Sequence, residues 1–445
     1  MMKKSKWLVG TALALSLALT GCAKSDETKS NTSDSKSNEP VNIRMQIAWA
    51  SDSGRGQAIQ EVLNEFEKQN PKIDVEMVGS TQGSQKLLTQ ILSGKAPEIL
   101  QISYRDLIGL APQDAFVDLT DELIDQKGNY FEQSWNQAVV DKKVFGLPWL
   151  GHTIQLVYNK DLFEKAGISE APKTWEELYD AAKKLTIDTN GDGKIDQYGI
   201  GLVGKQTYDI TWMVNMFMTQ SGAQLVKQNA KGDYEIALNS PEGKRALEFY
   251  KKLVTETAPP DTTNKDGGGV MADFRNQIVA MQLQGPWGIT DVWQNGNPFK
   301  VGSAAAPAGP GGKGADVSTY MLSIPTGVEG AKLDASIKLI EFLGSKEAQE
   351  MVMKGEKING EYFPFRIPIR KDLADMDYLK EHPEFLVFIE GLKYPSISTP
   401  IPAWTQIETE VYESALNQVV TGKVSVNEGL EMIKERGDEI IKEFK

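Results

Sequence analysis

The chain has 445 residues, 40% hydrophobic and 24% charged, with 40 Gly and 20 Pro. That composition excludes collagen-like, low-complexity and wholly disordered proteins. Acidic residues (61) outnumber basic ones (48), and a net charge of −13 excludes a nucleic-acid binder, which needs clustered positive charge. One cysteine, Cys22, and two histidines, His152 and His382, exclude an intrachain disulfide and a cysteine-held metal cluster, and argue against a histidine-built zinc site. The length exceeds one typical core, which predicts two lobes.

At the start, Lys3, Lys4 and Lys6 precede an apolar run over 7–19 that is short for a membrane span. This is the order of a secretory signal peptide, predicted over 1–21. Leu19-Thr20-Gly21-Cys22 resembles the lipobox of bacterial lipoproteins. The resemblance implies cleavage before Cys22 and acylation of its thiol. Two or three acyl chains would then hold the protein on a membrane, since one chain binds only marginally. Residues 22–40 are mostly Ser, Lys, Asn, Asp and Glu, too polar to order themselves, and predict a flexible tether. Together these predict a protein tied by lipid to the extracellular face of the cytoplasmic membrane of a bacterium.

The body alternates elements. Residues 41–49 alternate as a strand. Residues 56–69 place Ile59, Val62, Leu63 and Phe66 at helical spacing, and Asn70-Pro71 ends that helix. A strand over 73–78, a helix over 84–92 and a short strand over 99–102 follow. This opening predicts a parallel sheet covered by helices, an α/β fold class. Ligands bind beyond the carboxyl ends of such strands, so 49–55 and 102–106 are expected rim loops. Later helices are predicted over 174–185, 209–221, 241–255, 331–354 and 407–420, with a surface loop over 307–314.

Several stretches, taken in order, identify a family. Leu156-Val157-Tyr158-Asn159-Lys160-Asp161-Leu162-Phe163 and Pro172-Lys173-Thr174-Trp175-Glu176-Glu177-Leu178 are two of them. Phe274-Arg275-Asn276-Gln277-Ile278-Val279-Ala280-Met281 with Gly285-Pro286-Trp287, and a closing pair around Gly422-Lys423-Val424-Ser425, are the others. Together they resemble the extracellular solute-binding proteins of ATP-binding-cassette sugar importers, the group that includes maltose-binding protein. Leu150 and Gln155 stand where small residues are usual. The resemblance implies a two-lobed periplasmic-binding-protein fold, a ligand cleft between the lobes, hinge closure, a monomer, and delivery to membrane permease subunits. It places chain crossings near 146–151, 285–290 and 344–349. The N-terminal lobe is then expected over 41–148 plus 290–345, and the C-terminal lobe over 149–289 plus 346–445.

A sugar has apolar C–H faces and hydroxyl edges, which suit aromatic rings and polar side chains respectively. Trp49, Trp149, Trp212, Trp287 and Trp404 are the candidate stacking residues, although tryptophan also packs in cores wherever it sits. Trp287 stands where the family commonly stacks a sugar. Candidate polar partners are Asp52, Arg55, Tyr104, Asp106, His152 and Asn215. Arg55, Arg105 and Arg275 suit a carboxylated sugar or, above all Arg275, a solvated surface.

Asp188-Thr189-Asn190-Gly191-Asp192-Gly193-Lys194-Ile195-Asp196 has the spacing of a calcium loop. Oxygen-bearing side chains stand at positions 1, 3, 5 and 9, with glycine at 6. Asp188, Asn190, Asp192, Asp196, the Lys194 carbonyl and Gln197 are the expected ligands. Position 12 is Gly199, so the glutamate of a helix–loop–helix hand is missing. An Asn-Gly/Asp-Gly turn is the simpler alternative.

No phosphate loop, G-x-S-x-G or H-E-x-x-H motif occurs. Gly309-Pro310-Gly311-Gly312-Lys313-Gly314 fits G-x-G-x-x-G, but Pro310 and the lack of a following helix argue against a dinucleotide site. The expected function is capture of an oligosaccharide for an importer, without catalysis. A secreted polysaccharide-cleaving enzyme and a binder of a non-sugar solute are the alternatives.

Overall fold

The first strand, Val41–Ile47, buries Ile43, Met45 and Ile47 and pairs in parallel with Ile73–Gly79 and Ile99–Ser103. The helix Gly54–Gln69 lays Ile59, Val62, Leu63 and Phe66 on that core. Ser53 caps its start by accepting from the Gly56 amide at 3.1 Å. These observations come from a computed structural model that describes residues 40–81, 83–397 and 401–444. The signal peptide, Cys22 and nearly all of the tether lie outside the described residues.

The opening three strands are parallel as the sequence predicts, but Val317–Ser323 joins them antiparallel to its neighbours on both sides. The order of this sheet is Ile73–Gly79, Val41–Ile47, Ile99–Ser103, Val317–Ser323, Leu147–Thr153. A second sheet has the order Val301–Ala304, Gln155–Asn159, Val279–Gln284, Tyr198–Gly201. The strand Val279–Gln284 is buried at every position, since elements pack on both its faces. Helices Trp175–Lys184, Tyr208–Ser221, Pro241–Thr257, Glu413–Val420 and Val426–Glu443 supply residues to one core beside it. Phe274, Ile289, Val292, Phe385 and Phe388 form another.

The body therefore has two sheets with separate cores, but the chain divides between them differently from the expected ranges. The first passage is Ile154 alone, because Leu147–Thr153, including Trp149, belongs to the first sheet. The second runs over 305–316 rather than 285–290. Trp287–Gln294 and Val301–Ala304 pack with the second sheet, and their apolar faces hold them there. These two passages touch: the Ile154 amide donates to the Asp316 carbonyl at 3.1 Å. The third is not at 344–349, since Ala348, Val352 and Met353 pack in the first core. The chain leaves that core after Ile369 and enters the far one at Ile401.

Two expected helices are interrupted. The stretch 331–354 divides into Gly330–Leu343 and Lys346–Met353, because Ser345 caps the second by accepting from the Ala348 amide. The stretch 407–420 begins earlier, at Trp404–Ile407, and widens into a π-helical turn over Glu408–Tyr412 before Glu413–Val420. Such turns re-aim side chains and recur at functional sites. Here the widened turn brings Thr405, Glu408, Thr409 and Glu413 onto one wall of the cavity described next. The last helix opens with a full capping box, Ser425 with Glu428.

Candidate functional site

Between the two sheets lies a cavity of about 660 Å³, within the range of small-molecule sites. The first half contributes Gln46, Thr81, Gln101, Arg105, Asp106, His152, Tyr320 and Arg366. The second contributes Tyr208, Asp209, Trp212, Trp287, Thr405, Glu408, Thr409 and Glu413. Asp106 sits here because Ser103 caps its helix, and the carboxylate accepts from Ser103 Oγ at 2.7 Å and Ser84 Oγ at 2.5 Å. Asp209 accepts from Trp212 Nε1 at 3.1 Å and from the Gly267 amide at 2.8 Å. Trp287 donates from Nε1 to Gln284 Oε1 at 2.9 Å. Its ring covers Gly285, where a Cβ would stand 2.2 Å from it. Glycine is required at 285 for that fold of the ring.

The halves meet across the cavity through side chains. Arg105 donates from Nη1 to both Glu408 oxygens, at 3.2 and 3.3 Å, and both residues are almost fully buried. Thr211 Oγ1 donates to the same carboxylate at 2.5 Å. The Arg105 guanidinium lies 4.2 Å from the Tyr208 ring centroid. His152 meets Trp287 edge-on at 4.8 Å. Arg366 lies 4.7 Å from the Trp287 ring and 5.2 Å from Trp49. Outside the cavity, Glu356 accepts from Arg55 Nε at 3.4 Å and from Gln294 Nε2 at 2.8 Å.

Charge is unevenly placed. Glu408 pairs with Arg105, Asp209 and Glu413 stand close by, and burial, then Glu408 and Asp209, push Glu413 up to about 7. Arg366 has aromatic rings, the Tyr320 hydroxyl, His152 and the Arg55 charge around it, and among the described residues no carboxylate pairs with it. Burial, then Arg366 and Arg105, push His152 well below the usual range, so the imidazole is neutral. Asp316, 3.9 Å from His152, is pushed up to about 6 by burial, so the contact is not an ion pair. The folded protein thus holds a proton on Asp316 that the unfolded chain has already released. Its stabilising contribution is full below about pH 4 and is lost as pH rises through about 6. Asp316→Asn is expected to gain stability relative to the parent between those limits, on the order of 3 kcal/mol by pH 7. Urea unfolding at pH 4 and pH 7 checks this, and an equal difference at both removes the buried acid.

Of the expected ligand-binding residues, the structure brings Asp106, His152, Trp212 and Trp287 together at the cavity. Trp149 and Trp404 are core residues, 0% and 1% exposed, and face away from it. Tyr104 is equally buried; its neighbour Arg105 lines the wall instead. Asn215 is interior and accepts from the Tyr412 hydroxyl at 2.7 Å. Asp52 is exposed and Arg55 is paired with Glu356, both outside the lining. Trp49 stands behind Arg366 rather than on the wall. Arg275 pairs with Asp291 at 2.8 Å. Sequence reading missed Gln46, Gln101, Asp209, Tyr320, Arg366 and Glu408. Only the Trp-adjacent position of Asp209, one helical turn before Trp212, offered any signal.

The loop 188–196 turns its carboxylates onto its own backbone. Asp188 accepts from the amides of Asn190, Gly191 and Gly193, and Asp196 from the Thr189 amide and hydroxyl. Gln197 is buried and donates to the Leu185 carbonyl at 2.9 Å, away from the loop. Among the described residues no three acidic, His or Cys side chains converge on a metal position.

The model of the bacterial extracellular solute-binding proteins matches residues 50–350. The chain belongs to that family. Relatives of this solute-binding protein agree along nearly its whole length. The maltooligosaccharide ABC transporter solute-binding lipoprotein of Streptococcus pneumoniae is 25% identical over 97% of both chains. The galactooligosaccharide-binding protein of Bacillus subtilis is 24% identical over 97% of this chain and 96% of its own. Among solved structures, maltose-bound MalE3 of T. maritima superposes with a TM-score of 0.77 at 22% identity, covering 91% of this chain and all of that one. The fold is thus that of two-domain binding proteins, and among the described residues no helix is long and apolar enough to cross a membrane.

Proposed function

We propose that this solute-binding protein captures an oligosaccharide outside the cell and presents it to the permease of an ATP-binding-cassette importer. The observation that carries the proposal is the cavity between the halves. It joins tryptophan and tyrosine rings to a ring of amide, hydroxyl and carboxylate groups, the complement of a sugar's apolar faces and hydroxyl edges. The names of the pneumococcal and Bacillus relatives support the same class. Ligand touching both walls favours the state in which they meet, to the extent that it binds that state more tightly. A thermal-shift screen across neutral and acidic oligosaccharides, amino acids and metal ions tests the proposal. Stabilisation by an oligosaccharide is expected; stabilisation by another solute alone contradicts it.

Of the carboxylates lining the cavity, Asp106, Asp209 and Glu408 each hold internal partners, which leaves Glu413 without a second free carboxylate for the pair that glycoside cleavage needs. This supports binding without turnover.

The same proposal ties the protein to the membrane through Cys22. Cys22→Ser is expected to release the protein from washed cells into the medium; retention on the cells contradicts the anchor. A calcium ion in the loop 188–196 is proposed on the spacing alone, and requires the carboxylates to exchange amide bonds for the ion. Calcium is then expected to raise the melting temperature above that in chelator, and Asp188→Asn to abolish the difference. An unchanged melting temperature removes the ion.

A further inference from the structure

Arg366 is the feature of the cavity that the neutral-sugar picture does not use. It stands on the segment between Glu361–Phe363 and the third passage, is 8% exposed, and lines the cavity. Four aromatic rings surround its guanidinium: Trp287 at 4.7 Å, Trp49 at 5.2 Å, Tyr320 at 5.5 Å and Phe365 at 5.9 Å. Nη1 donates to the Phe365 carbonyl at 2.6 Å, and Nε has no hydrogen-bond partner. Among the described residues no carboxylate pairs with it. Every other buried arginine has an acidic partner: Arg105 has Glu408 and Arg370 has Asp372.

A buried charge without a counter-ion is costly, and proteins rarely keep one unless something neutralises it. Rings soften that cost through their faces and the Tyr320 hydroxyl accepts a hydrogen bond, but neither brings a counter-charge. Burial, together with the Arg55 charge, pushes this guanidinium down to about 10. Asp209, Glu408 and Glu413 gather near Arg105, and none of them pairs with Arg366. The cavity is therefore polarised, with an acidic end at Asp209, Glu408 and Glu413 and a cationic end at Arg366.

We propose that Arg366 recognises a carboxylate on the bound sugar, so that the ligand is an acidic oligosaccharide carrying a uronate unit. This rests on the oligosaccharide reading above. A guanidinium matches a planar carboxylate with two parallel N–H bonds, and a carboxylate that displaces the rings covering Nε satisfies this unpartnered donor. The rings of Trp287 and Tyr320 hold the cation in place and exclude water from the pair.

The test is calorimetric titration of the full chain with matched probes. Digalacturonate, cellobiouronate and glucuronosyl-xylobiose are set against galactobiose, cellobiose and xylobiose, with cellobiose 6-phosphate as a second anion. One uronate probe is expected to bind at least about tenfold tighter than its neutral counterpart. Arg366→Gln is expected to weaken that probe by about 30-fold or more and to erase the preference, and Arg366→Lys to recover part of it. If the glutamine variant does not fold, the preference of the parent protein still decides. Equal or tighter binding of the neutral probes overturns the proposal while leaving the oligosaccharide reading intact. Tighter binding of the phosphorylated probe, or no binding of any uronate, also overturns it. Failure of every sugar, with a non-sugar solute bound, brings down the oligosaccharide reading itself.

Discussion

Glu408→Ala is expected to keep the two halves of the protein apart. Arg105 and Glu408 come from opposite walls and are 5% and 3% exposed. Removing the carboxylate leaves the guanidinium buried beside Tyr104 and Tyr208 without its partner. Loss of one member of a buried pair costs about 3–5 kcal/mol. In a two-lobed protein that cost falls on the closed state alone, because opening returns Arg105 to water. A closed state disfavoured by about 3 kcal/mol weakens ligand binding by roughly 100-fold. The radius of gyration from solution scattering should rise in the variant at saturating ligand for the parent, and titration should show the weaker affinity. Adding Arg105→Ala removes the stranded charge, so the double variant should bind better than the sum of the single losses allows. Additive losses would show that the pair does not couple the walls.

The second large effect belongs to Trp287. Its ring covers Gly285, holds Gln284, meets His152 and backs Arg366. Trp287→Ala removes an aromatic wall of about 150–250 Å² and frees Arg366 at once. Affinity for the sugar should fall by about 100-fold or more, as at other central tryptophans. Stability should change little by comparison, since the ring is only partly buried. Trp149→Ala gives the opposite pattern: a fully buried ring is lost from the first core, at about 3–5 kcal/mol of stability. Calorimetric titration alongside thermal melting separates the two. Binding of the Trp287 variant within threefold of the parent contradicts the assigned wall.

The contrast between these two tryptophans shows what one sequence can reveal. Alternation in the first strand and the 3.6-residue spacing of Ile59, Val62, Leu63 and Phe66 follow from local geometry, so the opening of the fold was legible. Asp106 was legible too, because it lies just past the carboxyl end of a strand, where ligands of such sheets collect. Trp149 and Trp404 could not be separated from Trp212 and Trp287, since a tryptophan packs in a core as readily as it faces a ligand. Only the sheet to which each segment belongs decides which way the ring points. The lobe limits failed for a related reason: Val301–Ala304 joins the second sheet by antiparallel pairing with Gln155–Asn159, a contact between residues far apart in the chain. Glu408 and Arg366 carry no local signal. One is aimed by a π-helical turn and the other by a ring of aromatics from three distant segments.

In the proposed function an oligosaccharide bridges the cavity and is released unchanged. Titrating the full chain with oligosaccharides, followed by chromatography of the recovered sugar, tests it most directly. One-to-one binding of an oligosaccharide that is recovered intact is the predicted result. Cleaved sugar, or no binding by any oligosaccharide, would contradict it.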